Sequence, residues 1–162
     1  MKFSYTKKDI LNGLLIYSTG DTIASLILHQ FSIGRLSGMM LVGGLIYSLE
    51  IPYYFRWIDK KTASIPKRRV TSVRTLLAIA YFNPVWIARH LFFIKIFSGS
   101  LNEIQFGLLV VAGQSFLVNI PISFIANYLI QNSVPLRWRF LASALFSALM
   151  AIYYAVSAVI FH

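Results

Sequence analysis

Five apolar runs divide this chain, at about residues 10–28, 39–58, 73–97, 104–130 and 136–160, with polar or basic breaks between them. Each is near the ~20 residues that a helix needs to cross about 30 Å of hydrocarbon. The pattern predicts an all-α integral membrane protein: a bundle of four to five transmembrane helices forming one domain over residues 1–162. The first run is the most polar, carrying Asn12, Ser18, Thr19 and Asp21. It is expected to cross; if it lies at the surface instead, four spans remain and both ends face the same side. The second run holds Gly43, Gly44, Glu50 and Pro52 and closes in aromatics between Tyr53 and Asp59, as spans do at headgroup level. The third contains Asn83-Pro84 and Arg89-His90, and the fourth Gln114, Asn119, Pro121 and Asn127. Pro52, Pro84 and Pro121 each remove a backbone donor inside an apolar run, so several helices are expected to be kinked.

Composition sharpens this picture. Hydrophobic residues make up 57% of the chain and charged residues only 12%, against about 25% charged in soluble domains; the mean hydropathy is +0.68. The net charge of +10 does not point to nucleic acid, because the basic residues gather at the ends of the apolar runs. With five spans, Lys2, Lys7, Lys8, Lys60, Lys61, Lys67, Arg68, Arg69, Arg74, Arg137 and Arg139 fall on one side, and only Arg35 and Lys95 on the other. That asymmetry predicts an N-terminus facing the cytoplasm or matrix. The chain has no cysteine, which rules out disulfides, thiolate nucleophiles and thiolate-bound zinc. No small-x-small cleavage site follows the first run, so a removable signal peptide is not expected.

The chemistry expected of the chain is equally spare. The phosphate-binding, dinucleotide-binding, nucleophile-elbow and zinc-protease signatures are all absent. His29, His90 and His162 lie far apart. No catalytic residue, cofactor or metal site is expected, and the chain is not read as an enzyme. What stands out is polarity at membrane depth: Asp21, Glu50, Asn83, Arg89, His90, Gln114, Asn119 and Asn127. Facing lipid, each would be costly, so all should turn inward. Two readings stay open: interhelical glue, such as an ion pair of Asp21 or Glu50 with Arg89, or a hydrophilic path. Ser143, Ser147, Ala151 and Ala155, four residues apart, form a small-residue stripe, and Gly34 and Gly38 begin the second run. Both features suit close helix packing.

Several of these residues, taken in order, resemble the Mpv-seventeen/peroxisomal membrane protein twenty-two family. The likeness rests on G-D-T-I-A at Gly20 to Ala24 (with Asp21), then Arg35, Met39 and the Y-F-x-x-I-D ending at Asp59. It continues with Pro84, Pro121 followed by Asn127-Tyr128, Val134-Pro135 with Arg139, and Tyr153. Departures are Ser25 for a glutamine, Gly38 for an arginine, Pro52 for a histidine, Tyr54 for a tryptophan, and Ala78-Ile79 for an Asp-Gln pair. The resemblance implies a small all-helical protein of the mitochondrial inner or peroxisomal membrane, or of a bacterial inner membrane, acting as a pore for small solutes. The expected function is therefore a weakly selective channel for small hydrophilic solutes or metabolites, with Asp21, Glu50 and Arg89 lining or bracing the path. The alternative is a non-catalytic accessory subunit of a larger membrane complex. The expected partners are the lipid bilayer and, through small-residue faces, further copies or other membrane subunits.

Overall fold

The computed structural model describes residues 6–160, with side-chain surroundings through Tyr153; Lys2, His162 and the side chain of Ala155 lie outside the described residues. Within them the chain is helical and contains no strand. The order is α1 (Lys7–Ile27), α2 (Ile33–Leu41), a π-helical stretch (Val42–Tyr47), α3 (Ser48–Thr62), α4 (Lys67–Tyr81), α5 (Pro84–Phe97), a short 3-10 turn (Leu101–Glu103), α6 (Gly107–Asn132) and α7 (Leu136–Ile160). Local chemistry sets the starts. Thr6 accepts the Asp9 backbone N–H at 3.1 Å, and Ser32 accepts that of Arg35 at 3.1 Å. Each satisfies one of the donors that a helix N-terminus leaves free.

The three prolines behave differently. Asn83 caps α5 by accepting the Trp86 N–H at 3.0 Å, and Pro84 takes the first helical position, where its missing donor costs nothing. The third apolar run is thus two helices joined at Phe82 and Asn83. Pro52 and Pro121 lie inside helices whose assignment continues through them, Pro52 buried and Pro121 exposed. A wider turn does interrupt the second run: Ser48 N–H bonds back to Gly43, five residues earlier, the mark of a π-helix.

Five helical lengths are long and apolar enough to cross a membrane: Lys7–Ile27, Ile33–Thr62, Lys67–Phe97, Gly107–Asn132 and Leu136–Tyr153. The first has 21 residues, or about 31 Å of helix, so the most polar run is as able to cross as the rest. α7 lies along α1, and both pack on the second length. Glycine permits the closest of these approaches. A methyl built on Gly13 would lie 2.1 Å from the Gly43 carbonyl oxygen, and one on Gly20 would lie 2.5 Å from Ala148 Cβ. The buried core follows from this contact: Tyr17, Tyr47, Ile51, Phe55, Ile58, Phe140 and Ala144 form one cluster. By contrast, only 11% of the apolar window is buried in each of the third and fourth lengths, so long hydrocarbon faces are left outward.

The lengths alternate in direction, which sorts the charges. One end of the bundle gathers Lys7, Lys8, Lys60, Lys61, Lys67, Arg68, Arg69, Arg74, Arg137 and Arg139. There Lys8 sits 3.3 Å above the centre of the Trp138 ring. At the opposite end Arg35 is paired with Asp21, and Lys95 with Glu103.

Candidate functional site

The site starts from an ion pair that α1 and α2 force together. The cap at Ser32 begins α2 early enough to bring Arg35 onto Asp21. Its Nε donates to Asp21 Oδ2 at 2.8 Å and its Nη2 to Oδ1 at 2.7 Å, with both side chains more than nine-tenths buried. This two-pronged geometry is the strong form of the contact. It cancels both charges within one small unit.

The pair borders a cavity of about 450 Å³ bounded by α1, α5, α6 and α7. One wall is polar and regular. Ser115, Asn119, Ser123 and Asn127 of α6 line it at four-residue spacing, and Ser143 and Ser147 of α7 line it from a neighbouring side. From Val111 to Asn127 the lining follows α6 for about 24 Å. Each asparagine donates its amide to the carbonyl four residues back, Asn119 to Ser115 at 2.7 Å and Asn127 to Ser123 at 2.9 Å. Among the described residues, neither amide oxygen accepts a bond in return. The buried Tyr17 hydroxyl, beside Ser147 in the same lining, also lacks a hydrogen-bond partner. The α5 side, apart from His90, is hydrocarbon and aromatic, with Phe82, Trp86, Ile87, Leu91 and Ile94, and Phe116 of α6 adds a further ring.

A stack of rings separates this cavity from a second space. Trp86 and His90 lie parallel, with centroids 5.7 Å apart and planes at 4°, and His90 Nδ1 is 2.9 Å from the Tyr47 hydroxyl. Beyond them an open groove of about 320 Å³ is lined by Glu50, Tyr54, Tyr81, Asn83, Trp86 and Arg89. Glu50 and Arg89 pair there at 2.9 Å, each about one-third exposed.

At the basic end a second ion-pair network ties α3, α4 and α7 together. Asp59 receives Arg139 Nη1 at 2.7 Å and lies 3.4 Å from Arg74, while Arg74 Nε donates to Thr62 at 2.9 Å. Phe140, Ile130 and Gln131 are buried at this end.

Placed on this geometry, the polar residues singled out in the sequence separate into groups. Asp21, His90, Asn119 and Asn127 meet at the cavity, whereas Glu50, Asn83 and Arg89 meet at the groove. Of the two ion-pair partners considered for Arg89, the structure selects Glu50. The inward turn expected of Gln114 is corrected: Gln114 is exposed and lines neither space. Its neighbour Ser115 takes the inward position, because the α6 stripe runs through 115, 119, 123 and 127. Ser115, Ser123 and Tyr17 are the lining residues that sequence reasoning missed. Gly20 packs on α7, Asp21 and Ala24 line the cavity with Arg35, and Asp59 meets Arg139 at the other end. Pro84 starts α5 and Pro135 precedes α7. The small-residue stripe of α7 is used within the chain, with Ser143, Ser147 and Ala151 facing the cavity.

One charge pair links the last turn of α5 to the 3-10 turn. Lys95 donates to Glu103 in the 3-10 turn, and this hydrogen bond holds the Glu103 carboxyl below its usual range. A depressed folded-state value contributes stability that is present above the ordinary carboxylate value and disappears as the pH falls through the folded one. Lys95→Met should therefore lower the thermal midpoint in detergent at neutral pH, with the difference shrinking as the pH falls below the ordinary carboxylate range. A difference that persists unchanged into acid would show that the ion pair is not its source.

The geometry defines an all-helical protein with five lengths able to cross a bilayer, an internal cavity with one polar wall, and one strongly basic end. No protein-family model matches the chain, and no curated protein or solved structure matches it either.

Proposed function

We propose that the chain is an integral membrane protein whose bundle carries small solutes through the cavity between α1, α5, α6 and α7. The observation that carries this reading is the α6 ladder of Ser115, Asn119, Ser123 and Asn127, which offers hydrogen-bonding groups over about 18 Å, rather more than half of the hydrocarbon core. A merely structural set of polar residues would be expected to consume its own hydrogen bonds. Here the Asn119 and Asn127 oxygens accept no hydrogen bond from another described residue and remain available to a guest. Membrane insertion is supported by the uncovered apolar faces of the third and fourth lengths and by the charge asymmetry, which puts the basic end in the cytoplasm or matrix. The resemblance to the Mpv-seventeen/peroxisomal membrane protein twenty-two family points the same way and adds a mitochondrial, peroxisomal or bacterial inner membrane as the setting.

The test is solute flux into liposomes containing the purified protein, wild type beside Ser123→Phe. Ser123 faces open space, so the ring occupies the passage rather than the packed core. Flux should fall about tenfold or more, as expected when a pore is narrowed by a ring's width. Equal flux through both folded proteins would place the route elsewhere.

A further inference from the structure

The charges of the cavity are cancelled, and its two sides differ in chemistry. Among the described residues, Asp21 and Arg35 are its only carboxylate and guanidinium or ammonium lining groups, and they neutralise each other through two hydrogen bonds. The Glu50–Arg89 pair lies in the separate groove, beyond the Trp86 and His90 rings. An ion entering the cavity would exchange its hydration shell for a space with no net counter-charge, a large penalty in a low-dielectric interior. An uncharged guest avoids that penalty if its hydroxyls find partners. The α6 and α7 ladder supplies them on one side only. On the α5 side, Phe82, Ile87, Leu91 and Ile94 present mainly hydrocarbon and ring faces, interrupted by the His90 ring and the buried, unpartnered Trp86 Nε1–H.

We infer that the cavity selects small uncharged polyols and excludes ions: the hydroxyl edge of the guest runs along Ser115, Asn119, Ser123 and Asn127, and its C–H face lies against the α5 wall. This rests on the solute-passage reading and gives that passage its substrate class. Asn119 and Asn127 act as acceptors through amide oxygens that no other described residue uses. The paired Asp21 and Arg35 offer polar atoms to a passing hydroxyl without offering net charge.

The experiment uses glycerol as the probe. Liposomes containing the full chain are mixed with a glycerol gradient and followed by light scattering, and the same protein is examined for potassium and chloride current in a planar bilayer. Glycerol should enter faster than into protein-free liposomes, with ions passing at least about 100-fold more slowly, the ratio that corresponds to an uncompensated charge at bilayer depth. Asn119→Asp places an unpaired carboxylate on the ladder and should open a potassium current; Ser123→Asp does the same from an adjacent position should the first variant fold poorly. Ion current through the wild type, with or without glycerol flux, overturns the selectivity while leaving the passage standing. Wild-type protein that is folded yet silent to both probes overturns the passage itself, and the inference falls with it.

Discussion

Arg35→Met should abolish most of the folded protein recovered in mild detergent. The substitution leaves Asp21 as a buried carboxylate stripped of both of its guanidinium hydrogen bonds. Breaking one partner of a buried pair costs about 3–5 kcal/mol, a large share of the roughly 5–15 kcal/mol by which a protein is stable. Asp21→Leu should do comparable damage by orphaning the guanidinium. The double variant Asp21→Leu with Arg35→Met should recover much of the loss, since removing both charges also removes the cost of burying them. Thermal unfolding of the four proteins, read by size-exclusion profile after heating, checks this as a double-mutant cycle. Additive losses would mean that the two residues act independently, and the geometry of the pair would carry no weight.

The second large effect belongs to a hydrogen atom. Gly13→Ala puts a methyl 2.1 Å from the Gly43 carbonyl oxygen, and Gly43→Ala puts one 2.3 Å from that of Gly13. Neither neighbour is a side chain that could swing aside; each is the backbone of a packed helix. α1 and the second length would have to separate, opening the Tyr17–Tyr47 contact, whose ring centroids lie 4.8 Å apart. A loss of about 3 kcal/mol or more is expected, at the upper end of overpacking effects. Gly113→Ala is the control, because nothing lies within 4 Å of the added methyl. That variant should gain about 0.5–1 kcal/mol from lower backbone entropy in the unfolded chain. Thermal midpoints that move in the same direction for Gly13 and Gly113 would contradict the close approach.

Some of this was legible in the residues and some was not, for physical reasons. The five apolar lengths were readable because hydrocarbon thickness imposes a length that few other constraints mimic. Their true starts were less so: the second begins at Ile33 and the third at Lys67, in stretches polar enough to pass for loops. That error hid the partner of Asp21, since Arg35 looked like a topology charge until Ser32 was seen to cap α2. The ladder was half visible. Asn119 and Asn127 stood out, but serine is a weak signal in an apolar segment, so Ser115 and Ser123 escaped notice while the exposed Gln114 drew it. Their four-residue spacing was the available clue. Glu50 with Arg89 was foreseeable as a pair, because two opposite charges at depth seek each other; that they sit outside the cavity depends on Trp86 and His90, which no local pattern reveals.

The wide turn at Val42–Tyr47 has a consequence for how this chain tolerates change in length. An ordinary helical residue advances the side chain by about 100°, and the π-helical stretch holds one residue more than an α-helix needs for the same path. It acts as a phase shifter between two faces: Arg35 and Met39 upstream, and Ile51, Phe55 and Asp59 downstream. Losing a single residue there would tidy the hydrogen bonding and yet turn the whole of α3, carrying Phe55 out of the core and Asp59 off Arg139. Gaining or losing residues in the turn after Phe97 would disturb nothing comparable. Within one apolar run, then, the number of residues between two points matters as much as their identity.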